Sequence, residues 1–284
     1  NAYHGFSGFS LATAPAHITE PYGPLTPGIV QVPHGDLDAV ARAIDANTAA
    51  VLLETVQGSG GVILPPDGYL QGLRDLCDKH DVLLICDEVQ AGLGRTGKMF
   101  SFEHWGIVPD MAVVGKALGG GYYPISACLY NARVLDFVNE HPLAHPSTFS
   151  GSEIGCLVAQ KAMALLSAPE LLANVSEMGA RLSKGYRRLQ ADFPELIQTH
   201  RQIGLFTGID TTSPEVGTLL RHAAVRHGLI AFTAPFRPQF LQIWPPLIIT
   251  ADETDELLLR LTTALAETAT QIRNTHIETG LTGT

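Results

Sequence analysis

The sequence predicts an α/β fold with a mostly parallel central sheet, followed by a smaller α+β C-terminal domain. Two short apolar runs, residues 82–86 and 111–114, stop abruptly at Asp87 and, one glycine later, at Lys116. Such runs read as buried parallel strands. Helical and strand-like segments alternate from residue 36 to Lys116, the signature of crossover units. Past residue 152 the pattern changes to long apolar helices with isolated strands. The expected division is a large domain over 1–151, a connector helix and small domain over 152–277, and a frayed tail over 278–284.

Each element has a local reason. Residues 6–34, rich in Pro, Gly, Ala and Thr without a period, predict a long irregular excursion. Asp36 or Gly35 then opens an amphipathic helix, DLDAVARAI, and residues 49–53 make a buried strand ending at Glu54. Pro65 and Pro66 precede a helix over 68–80, whose Tyr69, Leu73, Leu76 and Cys77 recur at helical spacing, and this helix feeds the strand that ends at Asp87. PISACLY, residues 124–130, is β-rich. Ser152 is expected to cap a long apolar helix over 153–166, and Ser167 with Pro169 starts another to about residue 193. Strands near 203–209 and 229–232 bracket a helix over 215–227. Thr250 and Glu253 form a capping box for the last helix, to about residue 273.

Composition removes several classes of function. A chain of 284 residues with 45% hydrophobic and 16% charged content can bury a real core in one or two domains. The net charge of −10 and the lack of any Lys/Arg cluster argue against a nucleic-acid surface. No apolar run approaches the ~18 residues of a membrane span. Cys77, Cys86, Cys128 and Cys156 stand singly, so reduced thiols in a cytoplasmic protein are expected. His141 and His145 are four apart, but Pro142 and Pro146 break any helix that would align them on a metal.

The strand ends carry the chemistry. Asp87 and Lys116 would stand at the carboxyl ends of strands, where open α/β sheets place their ligands. A carboxylate and an amine there suit pyridoxal 5'-phosphate (PLP), which needs a lysine for its Schiff base and an acid that keeps the pyridine nitrogen protonated. The glycine run 119–121 lacks the spacing of a dinucleotide fingerprint or a P-loop, so no nucleotide site is expected there.

The stretch DEVQAGLGRTG, residues 87–97, followed by KALGGG, residues 116–121, resembles the signature of the class III (omega) aminotransferases, PLP enzymes of fold type I. The resemblance implies Lys116 as the Schiff-base lysine, Asp87 as the pyridinium partner, Val89 packing under the ring and Gln90 bonding the phenolic oxygen. NAYHG at the start is similar to an aromatic-His-Gly stretch, which implies cofactor contacts for Tyr3 and His4. HPSTFSGS, residues 145–152, resembles a segment whose threonine reaches the cofactor phosphate of a neighbouring subunit, which implies Thr148, with Ser147 beside it, in a homodimer with shared active sites. In the family the aromatic-His-Gly stretch lies well inside the polypeptide, so the N-terminal third of the fold is expected to lie outside this sequence.

ETVQGSGG, residues 54–61, matches a family pattern at Glu54 and Gln57 but departs from it twice. Thr55 stands where the pattern has proline, and Ser59 where it has glutamate. In LQIWPPL, residues 241–247, Gln242 stands where many members have the arginine that grips the substrate α-carboxylate. Loss of both charges is coherent, because keeping one would leave an unpaired charge in a desolvated site. The implied substrate is an amine or ω-amino compound without a tightly held α-carboxylate, unless Arg237 substitutes. The implied reaction moves an amino group between an amine or amino acid and a keto acid or aldehyde. Decarboxylation, racemisation or aminomutase chemistry on the same fold, and a noncatalytic PLP-binding fragment, stay open as alternatives.

Overall fold

The structure is a computed structural model that describes residues 2–5, 8–144 and 146–278, with side chains to residue 274. Asn1 of the aromatic-His-Gly stretch, His145 of the histidine pair and residues 279–284 of the tail lie outside the described residues. The chain forms two compact units. The first comprises the chain to Gly58 and Leu64–Leu172; the second comprises Ser59–Ile63 and the chain from Ala173 onward.

The first unit opens with short helical turns, among them α1 (Ala16–Thr19), in the stretch expected to be irregular. Helix α2 (Leu37–Ala43) starts where Asp36 accepts the Ala39 amide at 2.8 Å, a side-chain N-cap. The sheet then assembles β1 (Ala50–Glu54), β2 (Leu83–Asp87), β3 (Met111–Val114) and β4 (Ala127–Tyr130) in that spatial order, the first three parallel and β4 antiparallel. Helix α3 (Tyr69–His80) makes the crossover between β1 and β2. Its Tyr69, Leu70, Leu73 and Cys77 pack with Leu53, Leu84 and Cys86 of the strands in one core. At the opposite end of the strands Asp110 accepts from the Leu84 amide, Arg74 and Asn131 at 2.8–2.9 Å, tying β2, α3 and the end of β4 together.

Helix α4 (Ala132–Glu140) has no counterpart in the expected elements; Asn131 caps it by accepting the Val134 amide. Helix α5 (Glu153–Leu166) has the expected bounds, but Ser152 at its N-cap position makes no side-chain capping bond and instead lies 3.4 Å from the Tyr123 hydroxyl. Ala159, Met163 and Leu166 of α5 pack on Leu93, Val114 and Leu118. This packing places α5 in the first unit, so the division falls after Leu172, within α6 (Pro169–Asp192), rather than at residue 151.

The second unit is α+β. Its antiparallel sheet has the order β5 (Ile197–Ile203), β6 (Phe206–Thr211), β8 (Arg237–Gln242), β7 (Phe232–Ala234). Helices α6, α7 (Pro214–Arg226) and α8 (Ala251–Glu278) bury Leu182, Tyr186, Leu220, Leu261 and Leu265 with Ile209 and Leu241 of the sheet. The strand expected near 203–209 is instead a hairpin turning at Gly204 and Leu205, because β5, IQTHRQI, alternates polar residues that an apolar-run criterion passes over. Strand β8 was hidden by Pro238, which sits ahead of the first pairing of β8 with β6 at Phe240 and so removes no hydrogen bond from that ladder. The Thr250–Glu253 capping box forms as expected, each side chain bonding the other's backbone amide.

Candidate active site

Parallel pairing puts Glu54 opposite Asp87, and Asp87 opposite Val113, so the ends of β1, β2 and β3 are level. Lys116 follows β3 after Gly115 and opens the 3-10 helix Lys116–Gly119. Its φ of +44° is in the left-handed region, where a non-glycine residue costs on the order of 1 kcal/mol or more. The turn thereby directs an accessible lysine from a buried strand. Burial of part of the side chain pulls the Lys116 ammonium below the usual lysine range, against the opposing pull of the Asp87 and Glu54 carboxylates.

Asp87 is buried and doubly held: Oδ2 lies 2.7 Å from His4 Nδ1, and Oδ1 accepts the Val89 amide at 3.0 Å. The second bond folds residues 87–89 into an Asx turn. Glu54 is the hub beside it. Its Oε2 accepts the Tyr3 amide at 2.9 Å, and its Oε1 accepts from Gln90 Nε2 at 3.2 Å and from the Gly58 amide at 3.3 Å. Burial pushes the Glu54 carboxyl up to about 7, opposed by the Tyr3 amide and reinforced by the nearby Asp87 charge. Val89 faces Gly115, where an added Cβ would meet Val89 Cγ1 at 3.6 Å.

Thus His4, Glu54, Asp87, Val89, Gln90 and Lys116 gather around the three strand ends, and Tyr3 joins them through its backbone amide. Ser147 and Thr148 are exposed in the turn between α4 and α5. Ser59, Arg237 and Gln242 belong to the second unit. Ser59 is buried, and its carbonyl accepts the Phe236 amide at 3.1 Å. Gln242 ends β8, buried, beside an apolar cavity of about 610 Å³ lined also by Phe232, Trp244 and Leu257. Arg237 grips Asp210 through Nε and Nη2 at 2.7–3.1 Å. Asp210, 1% exposed, also receives Arg201 at 2.9 Å. Arg201 bonds the Gly61 carbonyl at 3.0 Å as well.

Sequence reasoning passed over two polar clusters. One is the Arg201–Asp210–Arg237 triad, whose only local signal is an acid inside the buried run FTGIDT. The other centres on Glu88, which is 1% exposed. Glu88 accepts from the Ser101 amide at 2.7 Å, the Ser101 hydroxyl at 2.5 Å, the Phe102 amide at 3.2 Å and the Thr55 hydroxyl at 3.4 Å. Burial pushes its carboxyl up to about 7, against these bonds. Standing next to Asp87, it could have been flagged as a second acid that the cofactor reading does not use.

Comparison with known proteins now bears on the strand-end cluster. The sequence model of the aminotransferase class-III family matches residues 1–265. An uncharacterized aminotransferase of Archaeoglobus fulgidus is 42% identical over 271 residues, covering 95% of this chain and 63% of that protein. The ornithine aminotransferase of Toxoplasma gondii ME49 superposes with a TM-score of 0.89 at 30% identity, over 95% of this chain and 64% of its own. A second structure of the T. gondii enzyme, equally similar, is described with partial occupancy of PLP at its active site. The chain therefore spans less than two thirds of the length of these relatives, and its fold is that of PLP aminotransferases, a large domain with a mostly parallel sheet and a small α+β domain. With a family match across nearly its whole length and the motif residues assembled at three strand ends, the chain belongs to the class III aminotransferases.

Proposed function

We propose that the protein is a PLP-dependent transaminase that moves an amino group between an amine or amino acid donor and a keto acid or aldehyde acceptor. The observation that carries this reading is the accessible Lys116 amine beside the buried Asp87 and Glu54 carboxylates at adjacent strand ends. The donor set fits the cofactor: an amine for its aldehyde carbon, an acid for its ring nitrogen, and the Val89 side chain beside Gly115 to pack on a flat ring. When bound, PLP supplies an electron sink for charge developing at the substrate carbon. Lys116 would hold the cofactor covalently and, once displaced by the donor, carry a proton as general base and acid. Burial favours its neutral, basic form. Asp87 would keep a proton on the ring nitrogen, with His4 fixing its orientation, and Gln90 and Tyr3 would complete the binding surface. Free thiols at all four cysteines support a cytoplasmic setting. Among the described residues no single helix is long and apolar enough to cross a membrane.

The family resemblance further implies a substrate preference through Ser59, Gln242 and Arg237. Ser59 and Gln242 are neutral, and Arg237 is engaged by the buried Asp210. These features support a donor without a tightly held α-carboxylate, since no bidentate guanidinium grip is offered at those positions. The experiment is a panel of ¹⁵N-labelled donors with a keto acid acceptor, read by mass spectrometry. Primary and ω-amines are expected to pass label to the acceptor faster than α-amino acids. Glutamate outperforming every amine would reverse the substrate assignment, and carbon dioxide release or racemised donor without label transfer would replace transamination itself.

The working unit is further proposed to be a homodimer with shared sites. Tyr122, Leu143 and Phe149 are 94%, 80% and 83% exposed, with Phe137, Ile154 and Leu157 also bare, all within the stretch that carries Ser147 and Thr148. An apolar surface of this kind marks an interaction site. A second copy would cover it and bring Thr148 to the cofactor phosphate. Mixing Lys116→Ala subunits with Thr148→Ala subunits is then expected to give activity above either parent, because one site in each mixed dimer is intact. Mixed preparations no more active than the parents, despite subunit exchange seen by native mass spectrometry, would confine each site to one chain.

A further inference from the structure

We propose that Thr55, Glu88 and Ser101 form a clamp that fixes the relative position of the Glu54 and Asp87 carboxylates, making these three positioning residues of the site. The proposal rests on the active-site reading above and extends it to residues that touch no reacting group. Thr55 directly follows Glu54 at the end of β1, and Glu88 directly follows Asp87 at the end of β2. The backbone ladder between these strands ends at the Glu54–Asp87 pair. One residue further, pairing is continued by side chains: the Thr55 hydroxyl reaches Glu88 Oε1 and contacts the Ser101 hydroxyl, and Ser101 bonds both carboxylate oxygens of Glu88.

The clamp also anchors the turn that carries Val89 and Gln90. The Glu88 amide donates to the Val113 carbonyl of β3 at 2.8 Å, and the Glu88 carbonyl accepts the Gly92 amide at 2.9 Å. Gly92 admits no side chain, because a Cβ would lie 2.7 Å from the Glu88 carbonyl and 2.8 Å from its Oε2. On the other side Ser101 and Phe102 offer their amides from the first turn of the 3-10 helix Ser101–Trp105. Thr55, Glu88 and Ser101 are all buried, so no water competes for these bonds and each loss leaves an unsatisfied polar group. Of the three clamp residues, Thr55 stands where the resembled pattern has proline, which would bring no hydroxyl.

The test compares Glu88→Gln, Ser101→Ala and Thr55→Val with Leu73→Ala, a core variant of the same unit. Two readouts are taken: amide hydrogen exchange across residues 87–92 in protein without cofactor, and PLP affinity by absorbance titration. The clamp predicts that Glu88→Gln and Ser101→Ala speed exchange in that turn and weaken PLP by at least about tenfold each, with Thr55→Val smaller in the same direction. Ser101→Thr, which keeps the hydroxyl, should restore both. Leu73→Ala should lower the melting temperature as much or more yet leave turn exchange and affinity near wild type. If Ser101→Ala and Thr55→Val exchange as slowly as wild type, or only as Leu73→Ala does, the positioning role is overturned; these two milder variants decide the matter even if Glu88→Gln does not fold. Wild-type protein that binds no PLP would defeat the functional reading, while the exchange data would still judge the clamp.

Discussion

Lys116→Ala is expected to leave no cofactor fixed to the protein by borohydride reduction and to lower amino transfer by roughly 10³-fold or more, the scale of losing a positioned general base together with a covalent anchor. The physical reason lies in the strand-end geometry. Lys116 is the amine that the structure sets beside the Asp87 and Glu54 carboxylates, and it is held there at a backbone angle that costs stability. A residue kept in strain at a functional position can be replaced without harming the fold. Lys116→Gly should therefore melt at or above the wild-type temperature while being equally inactive. Intact mass after reduction reads the covalent attachment directly. A variant that still gains the mass of the cofactor, or that turns over near the wild-type rate, would remove Lys116 from its assigned role.

Asp87→Asn is expected to separate binding from chemistry. The amide can still accept the Val89 amide and so keep the Asx turn, but it carries no charge to hold a proton on a ring nitrogen and loses its charge-assisted bond to His4. Cofactor affinity should fall by about 10- to 100-fold, the worth of one hydrogen bond to a charged partner. Turnover at saturating PLP should fall further, by roughly 10²- to 10⁴-fold, since the charge matters most as the transition state forms. Separate measurement of Kd and kcat distinguishes the two effects. Near wild-type kcat with weakened binding would make Asp87 a binding residue only.

Much of this is legible in the sequence, and for specific reasons. The runs ending at Asp87 and Lys116 are short, apolar and sharply bounded, so strand, end and functional group follow from the neighbouring residues alone. The Thr250–Glu253 box was equally legible, because capping spans only three residues, whereas the sequence narrowed the start of α2 only to Gly35 or Asp36 and the bond from the Ala39 amide selects Asp36. Strand β5 was not, since its alternating polar residues satisfy the sheet through backbone pairing that leaves no apolar run. The clamp around Glu88 was not legible either. Thr55 and Ser101 stand 33 and 13 residues from Glu88, and nothing local marks either hydroxyl as its partner. Of the residues expected at the site, those within the signature met at the strand ends, whereas the substrate candidates Ser59, Arg237 and Gln242 depend on how distant segments of the second unit assemble.

The five residues Ser59–Ile63 give the order of assembly during synthesis a particular character. They leave the ribosome well before the groups that hold them, the Phe236 amide and the Arg201 guanidinium; Arg201 lies 140 residues beyond Gly61. Closing a loop of that size costs on the order of 4 kcal/mol in chain entropy. The return includes the Arg201 bond to the Gly61 carbonyl and a fit so close that a Cβ on Gly61 would stand 3.0 Å from Phe240 and 3.1 Å from Arg237. The second unit is thus a discontinuous folding unit: a polypeptide beginning at Ala173 would carry α7, α8, most of α6 and the whole described sheet, but it would lack the backbone segment against which Arg201, Arg237 and Phe240 are seated.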